Sequence, residues 1–236
     1  IAAILSTWDK AIELKEKLIE QKKELKKGLM QKLLTGEVRL AGRRETIKHL
    51  KLKGLIKEIN ERNTKNKITN VLSVTNSNGF ILQSEQFGRQ IASKDLSNYK
   101  IVRKEQFAYN PSRVNVGSID LLKNFDVGIL SPMYVVFETI EEKLLPNYLY
   151  HFLKSNLFLN QLDGLLQGSV RQSLNFKSLE QVKLFVPDLT EQREISEFLD
   201  LFDEQLSLLQ LELDNLKEQK KGLMQLLLTG KVRVKV

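Results

Sequence analysis

Two segments of the chain gather arginine and small polar residues around turn signals. They are Tyr109–Ser118 (YNPSRVNVGS) and Gln167–Ser173 (QGSVRQS). An arginine guanidinium fits the O6 and N7 atoms of guanine, an Asn or Gln amide fits the N6 and N7 atoms of adenine, and a Ser hydroxyl suits a phosphate. Each segment by itself is more often a structural turn, because Asn-Pro-Ser favours a turn and Arg113 could pair with an acidic residue.

The position of the net charge favours the DNA-contacting interpretation. The chain has 37 Lys and Arg against 29 Asp and Glu, which gives a formal charge of +8. Residues 41–190 hold 21 basic and 14 acidic side chains, whereas residues 191–236 hold 7 and 9. A basic middle suits a polyanion such as DNA, although a basic protein without a nucleic-acid role can have the same composition. Charge and turns together predict these DNA-contacting residues: Asn76, Asn78, Arg89, Lys94, Arg103, Lys104, Asn110, Ser112, Arg113, Asn115, Arg171, Gln172 and Ser173.

The residues that enzymes use for catalysis are sparse. There is no cysteine, which excludes disulfides, thiolate metal sites and a cysteine nucleophile, and two histidines argue against a histidine metal site or a Ser-His-Asp triad. No phosphate-binding glycine loop occurs, and the acidic residues are too scattered for a magnesium nuclease. We therefore expect no catalytic residue, no metal and no cofactor on this chain. No membrane-length apolar run or signal peptide occurs, which favours the cytoplasm.

The chain begins and ends with two copies of one sequence. Residues 1–40 align without a gap to residues 195–234, and 18 positions are identical. The strongest block is KKGLMQKLLTGEVR (26–39) against KKGLMQLLLTGKVR (220–233). The residues between the copies do not repeat, so the pattern indicates a duplicated flanking element rather than a solenoid.

Both copies have the heptad pattern of long helices, with apolar residues spaced alternately by three and four. Lys15, Lys22 and Lys26 interrupt the first seam, where their stems can cover apolar surface while the ammonium groups reach water. Glycines after Thr35 and Thr229 predict left-handed caps. We expect the two helices to form an antiparallel coiled-coil hairpin, although each could lie separately on the globular body. The predicted interface residues are Leu5, Trp8, Ile12, Ile19, Leu29, Leu199, Phe202, Leu206, Leu209, Leu213, Leu216 and Leu223.

Residues 41–190 are predicted to form a mixed α/β (α+β) domain between the helical segments 1–40 and 191–236. Arg43–Lys67 has few strand signals and is interpreted as a linker followed by an irregular or short helical segment. A helix is expected from Pro146 to about Leu162, with Tyr148, Phe152, Leu153, Leu157 and Leu159 on its apolar face and His151 as a packing or capping residue. The predicted strands are Val71–Thr75, Phe80–Gln83, Tyr99–Val102, Val127–Leu130, Met133–Glu138 and Val182–Val186.

Five stretches of the sequence resemble a known family, the DNA-specificity subunits of type I restriction–modification systems. One is the repeated helix end LMQxLLTGxVR. The others are Tyr109–Ile119 (YNPSRVNVGSI), Gly128–Phe137 (GILSPMYVVF), Gly168–Leu174 (GSVRQSL) and Val186–Leu199 (VPDLTEQREISEFL). Together they extend over nearly the whole chain, in the order typical of the family.

The resemblance implies a target-recognition domain that reads one half of a two-part site on double-stranded DNA without catalysing a reaction. It also implies that the helices scaffold two modification (methyltransferase) subunits, which a restriction and translocase subunit joins. S-adenosylmethionine would then bind the modification subunit. The family's usual pattern has two recognition domains, whereas this sequence has one. Either a first recognition domain is missing from the sequence, which the absence of an initiator Met favours, or the protein is a natural half-length form, and self-association is a further candidate.

Two other functions remain open from the sequence. The chain could be the recognition-domain part of a self-contained adenine methyltransferase, although Asn-Pro-Ser-Arg at 110–113 lacks the second proline and the aromatic residue of such enzymes' Asn-Pro-Pro-aromatic loop. It could also be a coiled-coil adaptor, which would not need a basic, loop-rich middle. A test of S-adenosylmethionine binding by the isolated chain distinguishes the methyltransferase from a specificity subunit. A DNA shift assay distinguishes the coiled-coil adaptor from a specificity subunit.

Overall fold

The computed structural model describes residues 1–40, 48–87, 95–166 and 172–233 and consists of two compact units. The helical unit comprises residues 1–30 and the chain from residue 197 onward, and the globular unit comprises residues 31–196. Both divisions fall inside long helices. The first division, at 30/31, comes before the predicted boundary at 40/41. The second, at 196/197, comes after the predicted boundary at 190/191.

Two long helices run antiparallel in the helical unit. They are α1 (Ala2–Thr35), with 34 residues, and α6 (Leu189–Leu228), with 40 residues. Lys15 pairs with Glu212 at 2.8 Å, and Lys26 pairs with Asp203 at 2.5 Å, so the numbering rises along one helix as it falls along the other. This arrangement agrees with the predicted hairpin. Among the described residues, no helix combines the length and the apolarity needed to cross a membrane.

The side chains of the predicted heptad seam are protected from solvent. Every predicted interface residue is buried or half-buried, and Ile19, Leu199 and Leu213 are among the most buried. Lys15 and Lys26 of the seam are half-buried, and each ammonium group contacts a carboxylate of the opposite helix. Such partly exposed pairs contribute little energy each, but they favour one register of the two helices.

Two of the interhelical ion pairs occupy equivalent positions in the two copies of the sequence repeat. Asp9 pairs with Lys220, and Asp203 pairs with Lys26. Adding the repeat offset to Asp9 and Lys26 gives Asp203 and Lys220, so one pair is the repeat image of the other. The two helices of this unit are therefore related by an approximate twofold axis.

The described residues of the globular unit form four antiparallel sheets. The largest has the order β2 (Ile56–Ile59), β9 (Val135–Thr139), β6 (Phe107–Tyr109) and β7 (Ile119–Leu121). Three further sheets have two strands each: β1 (His49–Lys51) with β10 (Lys183–Phe185), β3 (Leu72–Thr75) with β4 (Gly79–Leu82), and β5 (Lys100–Arg103) with β8 (Val127–Leu130). Four short helices accompany them: α2 (Gln83–Phe87), α3 (Pro146–Leu153), α4 (Asn156–Leu162) and α5 (Phe176–Leu179).

Aromatic and aliphatic side chains fill the core beneath the sheets. Phe107 and Phe137 lie stacked with their ring centroids 5.0 Å apart, and both are completely buried. A second cluster joins the β3–β4 and β5–β8 sheets through Leu72, Val102 and Leu130. The same packing fixes the strand ends from which the loops emerge.

Two expectations for the globular unit were wrong. The segment Arg43–Lys67 is not a linker with a short helix, because β1 and β2 lie in its described part and pair with distant strands β10 and β9. The helix predicted from Pro146 to Leu162 is two helices, since Ser155 between them has an extended backbone and its hydroxyl donates to the Phe152 carbonyl at 2.6 Å.

The break between α3 and α4 also changes which side chains are buried. Tyr148, Phe152 and Leu153 are buried as predicted. In α4 the buried residues are Phe158 and Leu162 instead of the predicted Leu157 and Leu159, because the helix restarts in a new register. The six predicted strands all occur with ends shifted by up to two residues, while β6 and β7 were not predicted.

The two repeat copies end in different surroundings. Gly36 and Gly230 both have left-handed φ values, 78° and 71°, as expected of helix caps. Leu34 in the first copy is 1% exposed, whereas its counterpart Leu228 is 67% exposed. The same sequence therefore ends inside the globular unit once and on the surface once.

A buried ion pair holds the first copy's end in the globular unit. The Arg39 guanidinium contacts both carboxylate oxygens of Glu191 at 2.5–3.1 Å and lies 5.2 Å from the Phe185 ring. Glu191 is completely buried, while the repeat counterpart of Arg39, which is Arg233, is exposed. Burial and the Glu191 carboxylate raise the pKa of Tyr148, so its hydroxyl stays protonated and donates to the Phe185 carbonyl at 2.8 Å.

Candidate functional site

Four segments of the globular unit meet at one end of the four-stranded sheet. We call them the loop face: residues 76–79, 110–118, 131–133 and 172–174. The Ser118 hydroxyl donates to the Val74 carbonyl at 2.7 Å, just before the first segment. The Asn110 amide nitrogen contacts Met133 Sδ at 3.8 Å, and the Leu174 N–H donates to the Pro111 carbonyl at 3.0 Å. Strand pairing thus brings together residues that are far apart in sequence.

The longest segment of the loop face is held in one conformation. The Asn110 side chain accepts from the Ser112 N–H at 3.1 Å, and a single 3₁₀ turn follows at Val114–Val116. Val114 is completely buried and anchors the turn. Gly117 has φ +87°, and a side chain there would collide with the Asn76 amide, which lies directly against it. Such a preorganised loop can present side chains without a large ordering cost.

The loop face is polar and carries no acidic residue in any of its four segments. Arg113 is exposed, and within the described residues its guanidinium makes no ion pair or hydrogen bond. A surface with a free cation, amides, hydroxyls and backbone N–H groups can bind phosphates and base edges. The predicted DNA-contacting residues that the structure brings together here are Asn76, Asn78, Asn110, Ser112, Arg113, Asn115, Gln172 and Ser173.

Arg103 is the last residue of β5, and the turn that contains Lys104 leads into the end of β6 opposite to Asn110. Arg103 pairs with Glu61 at 2.7 Å. Both line a groove of about 510 Å³ with four acidic and three basic side chains, which offers a polyanion no excess of positive charge. Its charged lining residues are Lys57, Arg103, Lys104, Glu105, Glu138, Glu141 and Glu142.

Three further predicted DNA-contacting residues, Arg89, Lys94 and Arg171, lie outside the described residues. The loop face also carries two strongly exposed apolar residues that were not predicted to contact DNA. Val116 is 57% exposed and Met133 is 61% exposed. Only polar and charged residues were considered as candidates, and an apolar residue next to a turn gives no signal that it is exposed.

Solved structures of specificity subunits share this fold. The HsdS subunit from Thermoanaerobacter tengcongensis matches with a TM-score of 0.58 and 15% identity over 95% of this chain and 55% of its own. The type I S subunit from M. genitalium matches with a TM-score of 0.58 and 16% identity, over 94% of this chain and 58% of its own. At these identities the similarity establishes the architecture: two long helices and a globular α+β unit.

Sequence comparison identifies relatives of the same kind. The specificity subunit of the type I restriction enzyme MjaVIII of Methanocaldococcus jannaschii is 33% identical over 118 residues, which are 50% of this chain and 28% of that protein. The putative MjaX specificity subunit of the same organism is 38% identical over 68 residues, or 29% of this chain and 16% of its own. The chain therefore spans only part of the length of these relatives.

The family model described as "Type I restriction modification DNA specificity domain" matches residues 53–218. This match covers more than half of the chain, including the whole loop face and α6 up to residue 218, but not α1. The chain belongs to the type I restriction–modification DNA specificity family.

Proposed function

We propose that this chain recognises DNA sequence as a non-catalytic specificity component, and that the loop face reads one half of a bipartite site on double-stranded DNA. The observation that carries the proposal is a preorganised surface whose four segments contain no acidic residue, and whose Arg113 is exposed and has no partner among the described residues, in a chain of the DNA-specificity family. The relatives found by sequence are specificity subunits, which does not favour the self-contained methyltransferase.

Different groups of the loop face would serve different parts of the recognition. Arg113 can bind guanine or a phosphate, and the Asn115 and Gln172 amides can bind adenine. The Ser112 hydroxyl and the nearby backbone N–H groups suit phosphates, which set the register on the duplex. Arg103 and Lys104 are left out of the proposal, because Arg103 pairs with Glu61 and the groove that both residues line has no excess of positive charge.

Catalysis would come from partner subunits. The complex would comprise two modification subunits, which bind S-adenosylmethionine, and a restriction and translocase subunit, all in the cytoplasm where the DNA is. A solved structure with similar architecture comes from work on complex assembly of a type I restriction–modification system, with a TM-score of 0.56. The helical unit is the part of the chain proposed to scaffold the modification subunits.

Replacing Arg113 by alanine should weaken DNA binding by the assembled complex by about 1–3 kcal/mol. If the guanidinium reads a base, methylome sequencing will show relaxed specificity at one position of the site. If it contacts a phosphate, all sequences weaken alike and the salt dependence of binding becomes shallower. Arg103→Ala is the matched control and should leave the affinity unchanged. A larger loss from Arg103→Ala than from Arg113→Ala would contradict the assignment of the loop face.

The approximate twofold axis of the helical unit predicts two equivalent partner sites. Leu14 and Leu208 occupy the same position in the two repeat copies and are 57% and 56% exposed. If each contacts one modification subunit, Leu14→Glu or Leu208→Glu should remove one subunit, and the double variant both. Native mass spectrometry of the complex measures this stoichiometry.

The control for this stoichiometry is Leu211→Glu. Leu211 is 58% exposed, but its repeat counterpart is Lys17, so the repeat offers no equivalent apolar anchor. We expect Leu211→Glu to retain both modification subunits. Loss of both subunits from a single substitution at Leu14 would argue against two independent, equivalent sites.

A further inference from the structure

Two large apolar side chains project from a surface that is otherwise polar. Val116 and Met133 are more than half exposed, whereas Val114, two residues before Val116, is completely buried. An exposed apolar residue by itself is ordinary on a protein surface. Here both belong to the loop face, which the proposed function assigns to DNA.

A side-chain contact holds Met133 against the loop that carries Val116, and backbone hydrogen bonds close that loop. Met133 Sδ lies 3.8 Å from the Asn110 amide nitrogen, at the start of the loop that carries Val116. Backbone hydrogen bonds close that loop, from the Asn110 N–H to the Ser118 carbonyl at 3.1 Å and from the Gly117 N–H to the Val114 carbonyl at 3.0 Å. Val116 and Met133 thus lie near Asn110 and the exposed Arg113, among groups able to bind base edges.

Base edges in the DNA major groove offer one apolar group, the C5 methyl of thymine. We propose that Val116 and Met133 contact thymine methyl groups in the half-site, and so add apolar reading to the polar contacts of the loop face. The inference rests on the proposed function, because it needs the loop face to lie in the major groove. A polar side chain at either position would bind water in place of the methyl group. The contact with an apolar side chain therefore selects for thymine.

Uracil substitution provides the direct test, because uracil pairs as thymine does and lacks only the methyl group. The site of the assembled complex is first mapped by methylome sequencing, and each thymine in this chain's half-site is then replaced by uracil. Burying one methyl group contributes about 0.8 kcal/mol, so wild-type binding should weaken about fourfold at one or two positions. In Met133→Ala or Val116→Ala, the uracil penalty should disappear at the thymine that the missing side chain contacts.

Leu50→Ala is the matched control, since Leu50 is 43% exposed on β1, outside the loop face. It should retain every uracil penalty of the wild type. Insensitivity to all uracil substitutions, or a half-site without thymine, would overturn the inference. If Arg113→Ala still weakens binding in that case, the proposed function stands and only the apolar contacts are refuted. If Arg113→Ala has no effect either, the assignment of the loop face to DNA fails as well.

Discussion

Replacing Arg39 by leucine should lower the free energy of unfolding of the globular unit by about 3–5 kcal/mol. The substitution leaves the Glu191 carboxylate completely buried without its cation, and desolvation of an unpaired charge is costly. Urea denaturation followed by circular dichroism measures the loss. The double variant Arg39→Leu/Glu191→Leu should recover most of it, because neither charge then remains buried.

The sequence repeat supplies a matched control for this prediction. Arg233 occupies the same place in the second copy as Arg39 does in the first, but it is exposed. Arg233→Leu should therefore change the free energy of unfolding by about 0.5 kcal/mol or less. Equal losses from the two substitutions would mean that the buried pair with Glu191 is not what stabilises the first copy's end.

Replacing Phe137 by alanine should cost about 3–5 kcal/mol of unfolding free energy. Phe137 lies on the central strand β9, is completely buried, and contacts the rings of Phe107 at 5.0 Å and Phe176 at 6.2 Å between centroids. The cavity left by the ring cannot collapse easily, because aromatic rings from β6 and α5 border it. The shift of the denaturation midpoint measures the effect.

Leu159→Ala is the control for the Phe137 prediction, because Leu159 is 37% exposed on α4. Its removal should change stability by about 0.5 kcal/mol or less. A similar loss from both substitutions would indicate that the core packs more loosely than the stacked rings suggest.

The helices were predictable from sequence because their signals are local and repeated. The alternating spacing of Leu199, Phe202 and Leu206 is enough to predict a seam, and the duplicated Thr-Gly pairs predict both helix ends. The ion pairs of Lys15 and Lys26 were not predicted, because a single helix does not show which carboxylates the opposite helix presents.

The short strands were harder to predict. β2 begins at a buried isoleucine, but Lys57 and Glu58 at its centre hide the apolar pattern, and the strand forms because β9 pairs with it along four residues. β6 and β7 have three residues each, too few for a periodic signal. β2 and β6 form because they pair with the distant strand β9, and β7 pairs with β6 across the loop 110–118, so none of the three has a signal within its own residues.

The loop face was only partly predictable for the same reason. The turn chemistry around Asn110 and Arg113 identified candidate residues, and those residues do lie together. Sequence alone could not show that β6 separates Arg103 from Arg113, because both belong to one basic stretch of chain. It also gave no sign that Val116 is exposed while Val114 is buried, since this depends on the direction of a single 3₁₀ turn.

The two equivalent ion pairs between α1 and α6 give each repeat copy charges that match a second copy of the same sequence. One copy contains both an aspartate and a lysine of the two pairs, Asp9 with Lys26 or Asp203 with Lys220. Either helix therefore carries the charges needed to pair antiparallel with another copy of its own sequence. These charges set the register but do not select which helix is the partner. That selection comes from the covalent connection through the globular unit, which gives the second helix a high effective concentration next to the first.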